Sequence, residues 1–149
     1  MDQSIQIMMK ELYELGIVFR GFVLVKHKFR HLRDQNKKTK DLRGAFISAI
    51  TSFAESAFNN LSLEYLESKN TLFIFKTSKI KSSDSNLEEP IILYGLTDKK
   101  KKDTDKFVKK FLEKVEVILQ LFISRFQYRD FTELDQFDPF KQEIENFFI

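Results

Sequence analysis

The chain has 149 residues, of which 42% are hydrophobic and 32% charged, with a formal net charge of +3, 17 Phe and neither Cys nor Trp. That length suits a single domain over residues 1–149, with a core of Phe, Leu and Ile that uses no disulfide and is compatible with a reducing compartment. No run of about 18 apolar residues predicts a membrane span, and the start MDQSIQIMMKELYE carries acidic residues where a signal peptide needs a basic end and an apolar stretch, so a cytoplasmic protein is expected.

In chain order, Ile5, Met8, Met9, Leu12 and Leu15 recur at three and four residues with Gly16 behind them, which predicts a short first helix and its stop. The stretch IVFRGFVLVKHKF is β-branched and aromatic, and predicts one long strand or two strands joined near Gly21 or Lys26, although it holds no clear hairpin turn. RHLRDQNKKTK then reads as a basic loop that leads into a helix over Asp41 to Phe58, capped by Asp41 or Thr39.

That central helix carries two stripes. Leu42, Ala45, Phe46, Ala49, Ile50, Phe53 and Ala57 fall at helical spacing and predict the face packed on the core. Gly44, Ser48, Ser52 and Ser56 fall four apart and leave a neighbouring face with little bulk. Such a face admits the backbone of a partner, or is solvated, or fits under a loop of the same fold.

Next, LSLEYLE alternates, SKN turns, and TLFIFKTS returns, which predicts a hairpin. KIKSSDSNLEE reads as a loop, and PIILYGL as a third successive strand with Pro90 at an edge position, where its missing donor does least harm. Asp103 is the expected cap of a long helix, roughly 30 to 35 Å at about 1.5 Å per residue. Phe107, Phe111, Val115, Ile118, Phe122 and Phe126 make its apolar stripe, widened by Val108, Leu112 and Leu119. Asp138 and Pro139 mark the start of a last helix that turns Phe140, Ile144, Phe147 and Phe148 inward.

The segments LYELGIVFRGFVLV, DLRGAFISAITSFAESAF, LEYLESKNTLFIFKTS with PIILYGLTDKK, and DKFVKKFLEKVEVILQLFISRFQ follow one another in an order that resembles the longin and roadblock superfamily, in particular archaeal-type longin domain proteins. The aromatic and acidic ending YRDFTELDQFDPFKQEIENFF looks like the longin side. The resemblance implies an α+β fold, a five-stranded antiparallel sheet flanked by helices. It also implies a non-enzymatic interaction module that forms a homo- or heterodimer and regulates a small GTPase or binds another membrane-trafficking partner, including another longin or roadblock protein. The dimer or partner contact would then lie on the central helix, at Gly44, Ile47, Ser48, Thr51, Ser52 and Glu55.

Chemistry-bearing patterns are sparse. Gly16 and Gly21 have the interval of a phosphate loop, but Phe22 and Val23 stand where Lys and Ser or Thr are needed, so no nucleotide or other cofactor is expected. His27 and His31, on a strand, would sit about 13 Å apart at 3.3 Å per residue, too far to share one ion. The close carboxylate pairs Glu88 with Glu89 and Asp103 with Asp105 fall in a loop and at a helix start, and Ser48, Ser52 and Ser56 have no base near them in sequence.

Charge is unevenly spread. Between Lys26 and Arg43 eight Lys or Arg face two Asp, whereas from Asp130 onward six carboxylates face Lys141 alone. Lys99 to Lys102, with Lys106, Lys109, Lys110 and Lys114, form a second basic cluster. Solvated faces are the plain reading. The alternative is a peripheral adaptor that holds an anionic membrane surface through Lys37, Lys38, Lys40, Lys99, Lys100, Lys101 and Lys102. Nucleic acid ranks below both, because Phe107 and Phe111 belong to the core stripe and leave no aromatics to stack on bases.

Overall fold

The computed structural model describes residues 11–29, 46–52, 63–100 and 102–148. Strands β1 (Leu12–Phe19), β2 (Phe22–Lys28), β3 (Tyr65–Glu67), β4 (Thr71–Ile80) and β5 (Glu89–Asp98) form one antiparallel sheet in the order β2-β1-β5-β4-β3. Helix α1 is described over residues 46–52, α2 spans Thr104–Phe126 and α3 spans Phe140–Phe148, with a 3-10 turn at Leu134–Phe137 between the last two. This is the α+β class with a helix-flanked five-stranded antiparallel sheet. Among the described residues no helix is long and apolar enough to cross a membrane.

The first element differs from the expectation. Leu12 to Phe19 form a strand, and Gly16 lies in its middle rather than at a helix end. The cause is a bulge: Leu12 pairs with Thr97 and Glu14 with Leu96, so Tyr13 is an extra residue in β1. It turns Leu12 and Leu15, three apart, onto one face of the sheet, and imitates helical spacing. The remainder of that expected helix, residues 5–10, lies outside the described residues.

β1 and β2 form a hairpin closed by Arg20 and Gly21, both at positive φ (51° and 82°). Two central residues of positive φ are what a type I′ turn requires, and they match the twist of the strands they join. Pro90 is also placed differently, since β5 is a central strand. Pro90 lies beyond the last β1 pairing, Phe19 with Ile91, and pairs only with Lys79 of β4. The β3–β4–β5 meander forms as the sequence predicts.

Both faces of β5 are covered, which is why Ile91 to Thr97 are all buried and apolar residues run without alternation. On one face α2 lays down Val108, Phe111, Leu112, Val115, Ile118, Leu119, Phe122, Ile123 and Phe126. Phe107 is only partly buried there. Asp103 stands at the start of α2 in a left-handed conformation and makes no side-chain cap.

α3 has nine residues, short of the roughly 12 to 15 that sustain an isolated helix, so its packing holds it. Phe140 meets Phe122 edge-to-face at 5.2 Å, Phe137 stacks on Phe122 at 5.6 Å, and Phe131 meets Phe137 at 5.3 Å. Such pairs add about 0.5–1.5 kcal/mol each beyond the area they bury. Phe140, Ile144 and Phe148 point inward as predicted, with Phe147 at the margin.

Candidate functional site

The opposite face of the sheet carries α1, and its platform is built by β1, β4 and β5. Gly16 has no side chain, so the ring of Tyr94 lies over it, and the Tyr94 hydroxyl donates to the carboxylate of the buried Glu14. Val18, Phe75, Ile92 and Tyr94 surround Ile47, which is fully buried. Thr51, one turn on, is also buried. Its hydroxyl is satisfied within the helix, donating to the carbonyls of Ile47 at 2.9 Å and Ser48 at 3.1 Å, so burial leaves no polar group unpaired.

The seating of α1 corrects the expected faces. Ile47 and Thr51, assigned from sequence to a partner, lie against the chain's own sheet. Phe46 and Ala49, assigned to the core, are exposed, and Ile50 is half-buried. The sheet beneath is aromatic, with Phe73, Phe75 and Tyr94 standing up from it. A helix stripe of small and hydroxyl residues with one Ile fits that relief, whereas a second row of large side chains would overfill it.

Ser48 is half-buried and Ser52 exposed, and with Thr77 and Gly21 they line a groove of about 220 Å³ between α1 and the hairpin tip. Gly44 and Glu55 lie outside the described residues, as do Lys37, Lys38, Lys40 and Lys101.

Phe46 leans outward yet touches the sheet, its ring 6.2 Å from that of Phe73. Phe73 pairs with Leu66 of the short outer strand β3, and both are partly buried, as is Leu63. Phe46, which is 46% exposed, therefore continues into Phe73, Leu66 and Leu63 as one apolar patch at the β3 side of the sheet.

The basic cluster is less available than its sequence implies. Lys100 is bound to Glu11 and sits 3.9 Å over the ring of Phe107, and Lys99 lies 3.9 Å from Glu67. Lys102, Lys106, Lys109 and Lys110 are exposed. Nearby, the Tyr65 hydroxyl donates to Asp105 at 2.5 Å, and that bond raises the phenol's pKa.

At the hairpin tip stands an ionic cluster that was not visible in the sequence, because Arg20 is more than 60 residues from Ser82, Asp84 and Glu89. The Arg20 guanidinium donates two bonds of 3.0 Å to Asp84 and two, of 2.9 and 2.5 Å, to Glu89. Arg20 holds the Asp84 carboxyl down to about 2, with help from the Ser82 hydroxyl, and its own pKa is raised in return. His27 is half-buried on β2 with its ring edge-on to Phe29 at 4.6 Å, while His31 lies outside the described residues. Among the described residues no group of three or more His, Cys, Asp or Glu is placed to hold a metal ion. No protein-family model, curated protein or solved structure matches the chain.

Proposed function

We propose that the chain is a non-enzymatic, longin-like interaction module that dimerises, with itself or a relative, and binds or regulates a small GTPase or membrane-trafficking partner. The observation that supports this reading is the outward apolar patch of Phe46, Phe73, Leu66 and Leu63, which joins the central helix to the outer strand β3. Partly exposed large apolar side chains that are contiguous rather than scattered mark interaction surfaces. The contact therefore moves one helix face over from the small-residue stripe, to Phe46 and Ala49. Sedimentation velocity at tens of micromolar tests it. A dimer that Phe46→Asp converts to monomer is the expected result. A monomeric parent that also captures no small GTPase or longin-type protein from its native cell extract overturns it.

A second reading, a peripheral adaptor on anionic lipid, draws support from the exposed Lys102 just before α2 and Lys106, Lys109 and Lys110 on its first turns. Co-sedimentation with anionic liposomes should then fall as salt is raised. Binding that is absent, or equal on neutral liposomes, removes that reading.

A further inference from the structure

On the α2 side of the sheet, the hairpin tip and the segment after α2 enclose a cleft of about 240 Å³. Its floor is Phe19, Leu24 and Phe131, all buried, with Phe19 and Phe131 edge-to-face at 4.9 Å. Its lips are Phe22 and Leu134, 68% and 55% exposed. A cleft of this size is below the roughly 300–1,000 Å³ of small-molecule pockets and suits a single large side chain.

The chain segment that supplies Phe131, Thr132 and Leu134 to the cleft is acidic. Across residues 128–138 the exposed Asp130, Glu133, Asp135 and Asp138 face Arg129 alone. Asp130 accepts from the Thr132 amide at 3.0 Å and hydroxyl at 2.7 Å, which lowers its pKa and keeps it charged. Lys141 approaches Asp138 only to 4.0 Å. At the opposite end of the cleft, the charge of Arg20 is taken up by Asp84 and Glu89. Among the described residues β2 is an outer strand of the sheet, and the lip Phe22 stands at its start.

We propose that this cleft docks a basic, apolar peptide segment of a partner protein, which inserts one Phe- or Leu-sized side chain between Phe22 and Leu134 and lays flanking Lys or Arg along the acidic chain segment. Charge complementarity selects this occupant: an acidic peptide is repelled by the carboxylates of that chain segment, and a neutral one adds no cation to them. The site is separate from the α1 patch and lies on the other face of the sheet.

The test uses the full chain and two labelled hexapeptides, Arg-Lys-Phe-Leu-Lys-Arg and its charge reversal Glu-Asp-Phe-Leu-Asp-Glu, read by fluorescence anisotropy. The basic peptide should bind at least about tenfold more tightly than the acidic one, and lose about tenfold in Phe22→Ser with Leu134→Ser. Glu133→Gln with Asp135→Asn should weaken it and flatten its salt dependence. All four positions are exposed, and circular dichroism checks that each variant stays folded. Phe46→Asp should leave binding unchanged, which separates this site from the proposed dimer surface. Equal binding of the acidic peptide, no saturable binding below about 1 mM, or indifference to the lip substitutions overturns the proposal. Sedimentation showing that the lip substitutions abolish self-association would also overturn it, by making a second copy the occupant.

Discussion

Tyr94 lies so close over Gly16 of the neighbouring strand that a Cβ on Gly16 would stand 2.6 Å from the ring. Gly16→Ala must therefore push the phenol off its platform and away from Glu14. The substitution should cost about 1–3 kcal/mol, the range for overpacking a filled core, and a urea melt checks it. Combining it with Tyr94→Leu should cost less than the sum of the two single changes, because the clash is removed with the ring.

Seating Ile47 inward and Phe46 outward predicts an inverted pair of stabilities. Ile47→Ala opens a cavity among Val18, Phe75, Ile92 and Tyr94 and should cost about 2–5 kcal/mol. Phe46→Ala should cost less than about 1.5 kcal/mol in the isolated chain despite its larger side chain, since roughly half of it is in water already. Thermal or denaturant unfolding at a concentration where the chain is monomeric compares the two. Equal losses would reverse the assignment of faces.

Acid should loosen the hairpin tip. Because the pKa of Asp84 is depressed by the Arg20 guanidinium, its contribution to stability is fully present above the ordinary carboxylate range, near pH 4, and is lost as pH falls toward about 2. Asp84→Asn should be less stable than the parent near neutrality, should flatten the profile in that window, and should converge with the parent as pH falls toward about 2. The group is open to solvent, so raised salt should shrink the difference.

Gly21→Ala should cost about 1 kcal/mol through backbone conformation alone. Its φ is 82° and no atom lies within 4 Å of the added Cβ, so no steric term accompanies it. Equilibrium unfolding, with circular dichroism to confirm an unchanged sheet, measures the difference.

The parts of the fold legible in the sequence are those where one face is buried and spacing reports it. β3 alternates, β4 returns apolar on both sides after a turn at residues 68–70, and α2 shows its stripe over six turns. Of β1 only the end, Ile17 to Phe19, was legible as strand; its start was not, because the bulge at Tyr13 turns Leu12 and Leu15 to one side and mimics a helix. The join near Gly21 was one of two alternatives the sequence left open, because the other turn residue is Arg20, which seldom takes positive φ and here pairs with Asp84 and Glu89.

The candidate site was legible as a helix and illegible as a face. Counting apolar residues assigns Phe46 and Ala49 inward. Which stripe fits depends on the relief of Phe73, Phe75 and Tyr94, which stand on strands distant in sequence. The acidic ending was visible as composition, but the cleft beside it needs Phe22 and Leu134, 112 positions apart, to become lips of one opening.

Gly16 and Gly95 occupy adjoining central strands, one register step apart, and each is roofed by an aromatic ring from opposite sides: Tyr94 above Gly16, Phe111 below Gly95 at 2.4 Å from a notional Cβ. The sheet is thinnest there, since two of its side chains have been removed and two rings have settled into the hollows. That spot fixes how deeply α1's platform and α2 approach the backbone from their two sides. Any residue larger than glycine at either position would have to displace the ring that lies on it, so two missing methyl groups let an aromatic ring from each layer close on the backbone at this spot.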